Sequence, residues 1–211
     1  MVDKQHIEAL VHEHFKVGPN DKIQVDDDGV VNVSGDLKMR SKHIQEIPVQ
    51  FGTVDGTFDV TGMNIASLKG SPQVVGGTFS CVGNNLTTLE GGPKEVHGFY
   101  HADHNQLTDL KGCATRVDRM LSITHNPLKS LEGLTPGVSH IKLTYNEHMP
   151  LLRLLDLPGG FQIPAPDQES WDYSEPPWEK ILEPYMGEGR KGAIKAAAEL
   201  VKAGYKENAR W

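Results

Sequence analysis

Residues 84–131 carry the repeat that decides the fold: NNLTTLEGGPKEVHGFYHADHNQLTDLKGCATRVDRMLSITHNPLKSL. In this stretch an asparagine stands two residues before a leucine, and the pair recurs every 21 residues, at Asn84/Leu86, Asn105/Leu107 and Asn126/Leu128. A fixed period of this length is typical of a solenoid, in which each unit buries its apolar face only against its neighbours. The stretch therefore predicts stacked coils rather than a conventional two-layer domain.

The period continues on both sides of this stretch. An upstream valine recurs at Val33, Val54, Val75, Val96, Val117 and Val138. Six units in register predict a six-turn solenoid over residues 33–157. The sixth unit is one residue short, because Ile141 and Leu143 arrive one place early, and we expect its register to shift by one residue.

Each unit contains a short segment in which inward and outward positions alternate. Examples are Phe58-Asp-Val60, Phe79-Ser-Cys81 and Leu121-Ser-Ile123, and alternation at period two predicts a strand with one buried face. Glycine and proline in the following segments, such as LKGSPQVV (68–75), exclude a helix there. We expect a parallel β-solenoid with little helix on its convex side. The recurring asparagine is interpreted as a buried amide that satisfies backbone groups where the coil turns.

Two flanking segments complete the predicted domain organisation. Residues 1–32 predict an N-terminal capping helix with Asp3 as its N-cap, followed by a hairpin that starts the sheet. Residues 158–211 predict a C-terminal wrap and helical cap. Its last helix, over residues 190–203, is expected to turn Ile194, Ala197, Ala198 and Val201 to one face. The fold class is thus an α/β repeat protein built on a β-solenoid.

Composition narrows the class of protein. The 211 residues include 21 basic and 28 acidic side chains, and the net charge of −7 weighs against non-specific DNA binding. No apolar run approaches the roughly 18 residues that a membrane helix needs, and the two cysteines cannot form a disulfide framework. Cys81 falls on an inward position and is interpreted as core. We therefore expect a soluble protein of a reducing, intracellular compartment.

The outward side of the predicted sheet changes character along the solenoid. The early coils present small and hydroxylated residues, whereas the last three present aromatic, methionine and histidine side chains. Such residue types are enriched at the centres of protein interfaces. The predicted partner-binding residues are Phe99, His101, Asp103, His104, Met120, His125, His140, Lys142 and Tyr145. Two alternatives remain: the C-terminal segment folds back over this patch, or the patch has no role.

Catalytic and metal chemistry find little support in the sequence. His104 and His125 occupy the same slot of adjacent coils, so their side chains are expected about 5 Å apart. A metal site is geometrically possible there, but two polar side chains on an exposed sheet is the preferred interpretation. No nucleophile, P-loop or kinase motif is present. We predict no enzymatic activity, no cofactor and no metal.

The segment LSITHNPLKSL (121–131) resembles the leucine-rich repeat, and units of the type NxLTxLxGxPxxVxGxFxC resemble leucine-rich-repeat-like proteins of tailed bacteriophages. The opening DDDGVVNVSGDL and the ending AAELVKAGYKENARW are also similar to that family, whereas Arg116, Asp118 and Arg119 depart from its pattern. The resemblance implies a right-handed leucine-rich-repeat-like solenoid made in the cytoplasm of an infected bacterium.

By analogy with that family we expect a non-enzymatic module that binds a host bacterial protein, such as a defence or housekeeping factor, and inhibits or redirects it. Nucleic acid is an unlikely partner for a chain of this charge. The alternative is nevertheless a nucleic-acid-binding accessory protein acting through the basic C-terminal helix, with Arg190, Lys191, Lys195, Lys202 and Trp211. Salt dependence separates the two, because a phosphate-bound helix loses affinity steeply between about 50 and 200 mM salt.

Overall fold

The computed structural model describes residues 2–144, 150–157, 160–162, 177–186 and 188–210. Its first helix, α1, spans Lys4–His14, and the strands that follow are β1 Phe15–Val17, β2 Lys22–Val25, β3 Val31–Ser34, β4 Leu37–Met39, β5 Phe51–Val54, β6 Phe58–Asp59 and β7 Val74–Val75. The series continues with β8 Phe79–Ser80, β9 Glu95–Val96, β10 Tyr100–His101, β11 Arg116–Ser122, β12 Val138–Lys142 and β13 Phe161–Gln162. Helices α2 (Pro177–Leu182) and α3 (Gly189–Lys202) follow, with short 3₁₀ turns at Leu151–Asp156, Glu183–Tyr185 and Lys206–Asn208.

The strands stack into a parallel β-solenoid of about five turns. One stack runs through β4, β6, β8, β10, β11, β12 and β13, and a second runs through β3, β5, β7, β9 and β11. We number the coils from the recurring valines, so coil 1 is 33–53, coil 2 is 54–74, coil 3 is 75–95, coil 4 is 96–116, coil 5 is 117–137 and coil 6 begins at 138. The predicted solenoid is confirmed, although the structure describes only part of the sixth unit.

Strand register follows the predicted 21-residue period. Leu37 pairs with Phe58, Phe58 with Phe79, Phe79 with Tyr100 and Tyr100 with Leu121. Between coils 5 and 6 the register shifts after Val117/Val138, so that Leu121 pairs with Ile141. The predicted one-residue shift is confirmed, and a bulge in the ladder absorbs the missing residue.

The core is a column of rings along the solenoid axis. Phe58 and Phe79 stack with ring centroids 5.8 Å apart, and Tyr100 meets Phe79 edge-on at 4.9 Å. At the N-terminal end Phe15 packs against Phe51 at 5.2 Å and Phe58 at 5.7 Å. All five side chains are buried. Aromatic pairs in these geometries stabilise a core beyond the area they bury, which ties each coil to the next.

The recurring asparagines are buried or half-buried and hydrogen-bonded to the backbone, as predicted. Oδ1 of Asn105 accepts from the Leu86 N–H at 3.1 Å, and its Nδ2 donates to the carbonyls of Cys81 at 3.0 Å and Ala102 at 3.1 Å. Asn84 and Asn126 repeat the arrangement. Each amide therefore bridges its own coil and the one before.

Residues 3–34 form the N-cap, helix α1 and strands β1 to β3 at one end of the sheet. Asp3 accepts a hydrogen bond from the His6 backbone N–H, which is the predicted N-cap. The helix ends at His14, and Phe15 begins β1, which pairs antiparallel with β4. Strands β2 and β3 form the predicted antiparallel hairpin.

The C-terminal helix α3 buries a different face from the one predicted. Ala193, Ala196 and Leu200 are buried, whereas Ile194 is 68% and Val201 49% exposed. A Cβ at Gly192 would lie 2.8 Å from the Tyr185 carbonyl oxygen, so the helix approaches its neighbour through small residues. The predicted apolar side with Ile194, Ala197, Ala198 and Val201 is therefore not the side that packs inward.

No helix within the described residues has the length and apolar character that crossing a lipid bilayer requires.

Candidate partner-binding face of the solenoid

The outward side chains of coils 4–6 form the candidate site. Their backbone pairing places them in columns: Met120 pairs with His140, and Ser122 pairs with both His101 and Lys142. We define the histidine face as the described residues Phe99, His101, Asp103, His104, Met120, His125, His140 and Lys142. Tyr145 was predicted to belong to it, but that residue lies outside the described part of the chain.

Phe99 is held between two polar partners. Its ring stacks on His101 with centroids 5.7 Å apart and an interplanar angle of 11°, and the Arg119 guanidinium carbon lies 5.5 Å from the ring centroid. A guanidinium at this distance is attracted by the ring quadrupole. Phe99 and Met120 are half-buried, although both occupy outward positions of the predicted sheet. Phe99 is thus a partly pre-positioned ring with one edge open.

Asp103 joins coil 4 to coil 5. Its Oδ1 accepts from Ser122 Oγ at 2.6 Å, the Thr124 backbone N–H at 2.8 Å and Thr124 Oγ1 at 2.6 Å. Alternation within the predicted strand places Ser122 and Thr124 on the outward side of the sheet, but they are only 5% and 9% exposed. Both hydroxyls turn toward the Asp103 carboxylate instead of solvent. Oδ2 of Asp103 stays 3.8 Å from Nδ1 of His101.

His104 and His125 form a second stack of rings. Their centroids are 4.1 Å apart with an interplanar angle of 7°, and both residues are exposed. Both have left-handed backbone, with φ of 55° and 54°, in the slot where coils 2 and 3 have Gly62 and Gly83. For a residue with a Cβ this conformation costs about 1–2 kcal/mol. Coils 4 and 5 therefore carry backbone strain at a position where coils 2 and 3 have glycine.

The remaining members lie toward the C-terminal edge of the face. Met120, His140 and Lys142 are half-buried on β11 and β12. A Cβ at Gly160 would lie 3.8 Å from Nε2 of His140, so part of the C-terminal segment borders the face there. Residues 163–176 lie outside the described residues, and cover of the face by that segment remains a prediction.

An ionic cluster beside the face was not predicted. Asp118 contacts Nδ1 of His97 at 2.8 Å and Nε of Arg116 at 2.6 Å. The Arg116 guanidinium, followed by His97, lowers the pKa of the Asp118 carboxyl. The available signal was the departure of Arg116, Asp118 and Arg119 from the repeat pattern. These residues give coils 4 and 5 a charged rim next to the aromatic rings.

The thiols of Cys81 and Cys113 both lie in surroundings that disfavour the thiolate. Cys81 is fully buried in the inward column, as predicted, and burial raises the pKa of its thiol strongly. Burial also raises the pKa of Cys113 to about 12. A thiol with such a pKa is a poor nucleophile because the thiolate is scarce near neutral pH.

Among the described residues, no group of three or more histidine, cysteine, aspartate or glutamate side chains is arranged to hold a metal ion. Comparison with protein-family models, with curated proteins and with solved structures gave no match.

Proposed function

We propose that this protein is a non-enzymatic interaction module of a bacteriophage that binds a host bacterial protein through the histidine face, in the cytoplasm of the infected cell. The bound factor, a defence or housekeeping protein, is inhibited or redirected by steric occlusion. The observation that carries this proposal is the pair of ring stacks, Phe99/His101 and His104/His125, on adjacent columns of one rigid sheet. The phage origin rests on the sequence resemblance described above.

Pre-positioned rings suit a binding surface for an energetic reason. A partner that docks on mobile side chains must immobilise them, at roughly 0.5–1.5 kcal/mol for each flexible side chain. Phe99 is already fixed by His101 and Arg119, and Asp103 locks the backbone of the next coil. The histidine face therefore offers aromatic contact area at low entropic cost, which is the property of interface hot spots.

We further propose that the solenoid is leucine-rich-repeat-like and that a helix caps each of its ends. The asparagine ladder and the LxIxxNxLxxL spacing support a leucine-rich-repeat-like coil. The position of α1, with buried Val11 beside Phe15 at the start of the solenoid, supports a capping role for this helix. Helix α3 packs near the turn Leu151–Asp156 and is proposed as the opposite cap.

The test is a pull-down from bacterial lysate with the full chain as bait, read by mass spectrometry. The double variant Phe99→Ala/His101→Ala removes one ring stack. The control Thr57→Ala/Thr78→Ala changes the same column as Phe99 in coils 2 and 3. We expect one stoichiometric host protein that is retained by the control and lost at least tenfold with the ring variant. Equal capture by both variants would remove the histidine face as the binding surface.

A second candidate function, nucleic-acid binding, has one supporting observation. Lys191, Lys195 and Lys202 are exposed on α3 at spacings of four and seven residues, which place them on one side of the helix. Nζ of Lys195 lies 3.6 Å from Oε2 of Glu188, so these two side chains form an ion pair. The triple variant to glutamine should abolish retention on heparin or single-stranded DNA if this helix binds phosphates, while host-protein capture by the histidine face stays unchanged.

A further inference from the structure

Three features of the histidine pair of coils 4 and 5 bear on ligand binding. Both residues adopt left-handed backbone, although glycine fills the equivalent slot in coils 2 and 3. Their rings are parallel, in the same register, and exposed to solvent. A Cβ at Gly62 or Gly83 would have no atom within 4 Å, so the slot itself is open space. Packing therefore does not explain two histidines there.

Hydrogen bonding assigns the proton on the His125 ring. Thr124 Oγ1 lies 2.6 Å from Oδ1 of Asp103, and the hydroxyl must donate in this contact because a carboxylate only accepts. The same oxygen lies 3.3 Å from Nδ1 of His125 and is left to accept from it. In the neutral ring this contact places the proton on Nδ1, so that Nε2 keeps a free lone pair. A hydrogen-bonded second nitrogen is the usual arrangement in a metal-ligating histidine.

We propose that His104 and His125 together bind one divalent transition-metal ion of the Cu²⁺, Ni²⁺ or Zn²⁺ class through their Nε2 atoms. Water or a partner's side chain fills the remaining coordination positions. Two bonds of 2.0–2.1 Å at a tetrahedral ion place the nitrogens about 3.3 Å apart. The 4.1 Å separation joins ring centroids, and nearly parallel rings direct their Nε2 lone pairs side by side. The exposed His104 ring must therefore turn about its Cβ–Cγ bond to share an ion with His125, whose ring Thr124 holds. This site goes beyond the proposed function and does not depend on it.

The chemistry of the pair defines which ions bind. Imidazole nitrogens suit copper, nickel and zinc, whereas Mg²⁺ and Ca²⁺ prefer oxygen ligands. Copper should bind most tightly of the divalent series.

The experiment is isothermal titration of the tag-free full chain with Ni²⁺, Zn²⁺ and Mg²⁺, accompanied by histidine NMR spectra during the Ni²⁺ titration. We expect a tightest site of one ion per chain for Ni²⁺ and Zn²⁺, no such site for Mg²⁺, and paramagnetic broadening of the His104 and His125 ring signals first. His104→Gly and His125→Gly should each weaken this site at least tenfold. His104→Asn is a second test, since asparagine tolerates left-handed backbone.

A matched control separates this pair from the other histidines. The double variant His12→Gln/His14→Gln removes two histidines that are close in sequence on α1 and should leave the tightest site unchanged. The proposal is overturned if the glycine and asparagine variants keep the wild-type affinity, if the α1 variant loses the site, or if Mg²⁺ binds equally well.

Discussion

Asp103 and Thr124 are joined twice across neighbouring coils: one carboxylate oxygen accepts from the Thr124 backbone N–H at 2.8 Å and from its hydroxyl at 2.6 Å. The Asp103 side chain is only 14% exposed, so these bonds form in a largely water-excluded place. This contact adds a side-chain link between coils 4 and 5 at the centre of the histidine face. It makes the geometry of the two ring stacks depend on one carboxylate.

Replacing Asp103 by alanine should therefore destabilise the fold. Hydrogen bonds to a charged group contribute about 1.5–3 kcal/mol each in favourable cases, and they are not additive. We expect a loss of about 2–4 kcal/mol in the free energy of unfolding, measured by urea denaturation. Asp103→Asn keeps one acceptor oxygen and should lose less. Equal losses for the two variants would contradict a role for the carboxylate in accepting several bonds.

The asparagine ladder makes a graded prediction. Asn105 is buried and Asn126 is half-buried, although both make the same bonds to the neighbouring coil. Removing a buried partner leaves backbone groups unsatisfied at about 1–3 kcal/mol each. Asn105→Ala should lower the free energy of unfolding by about 3 kcal/mol, and Asn126→Ala by less. The reverse order in chemical denaturation would show that water does not reach the coil-5 junction.

Two glycines with positive φ should respond differently to alanine. At Gly83 (φ 65°) a Cβ meets no atom within 4 Å, so Gly83→Ala carries only the backbone penalty of about 1 kcal/mol. At Gly112 (φ 78°) a Cβ would lie 2.2 Å from the Glu90 backbone nitrogen. Gly112→Ala adds overpacking of about 1–3 kcal/mol and should cost about 3 kcal/mol in total. Thermal melting of the two variants, compared with wild type, checks the contrast.

The Cys113 thiol makes the free energy of unfolding depend on pH in the alkaline range. Its thiol has an ordinary pKa of 9.0 and a pKa of about 12 in the folded chain, because burial disfavours the thiolate. Above pH 9 the unfolded state loses this proton while the folded state keeps it, so unfolding becomes progressively more favourable up to about pH 12. The stability present below pH 9 is lost at up to about 1.4 kcal/mol per pH unit.

Cys113→Ser provides the control for this titration, since serine does not ionise in that range. Urea midpoints of wild type and variant should converge or cross between pH 9 and 12. A difference between the two proteins that stays constant with pH would contradict a buried, protonated thiol.

Helix α3 can be tested on its two faces. Leu200 is buried against the rest of the chain, and Leu200→Ala should cost about 2–5 kcal/mol through lost contacts and the resulting cavity. Ile194→Ser changes an exposed side chain and should stay within about 0.5 kcal/mol of wild type. Circular dichroism during chemical unfolding measures both. A large effect at Ile194 would contradict the exposed position of this side chain.

The coil architecture was predictable because its determinants are local and repeated. A period of 21 residues, with alternation inside each unit, predicts that the side chains of Phe58, Phe79 and Leu121 point inward. Even the bulge between coils 5 and 6 has a sequence signal, since the sixth unit is one residue short. These features need no knowledge of side-chain conformation.

Other features depend on three-dimensional contacts that no spacing encodes. The sequence of α3 offers two apolar sides, one with Ile194 and Val201 and one with Ala193, Ala196 and Leu200, and only the packing in the structure shows that the second is buried. The placement of Arg119 over Phe99 and the burial of Thr124 depend on rotamers. The left-handed backbone of the histidine pair did have a signal, namely the glycines in the same slot of earlier coils.

The bulge between coils 5 and 6 also bears on how such a chain can change length. Since every column repeats at 21 residues, a gene duplication that inserts one whole unit between Gly91 and Gly112 would lengthen the rod and leave every pairing in register. Gain or loss of a single residue elsewhere would turn a buried ring to the outside. Coils 5 and 6 show the position where the ladder tolerates such a change, and divergence in length is expected to accumulate there.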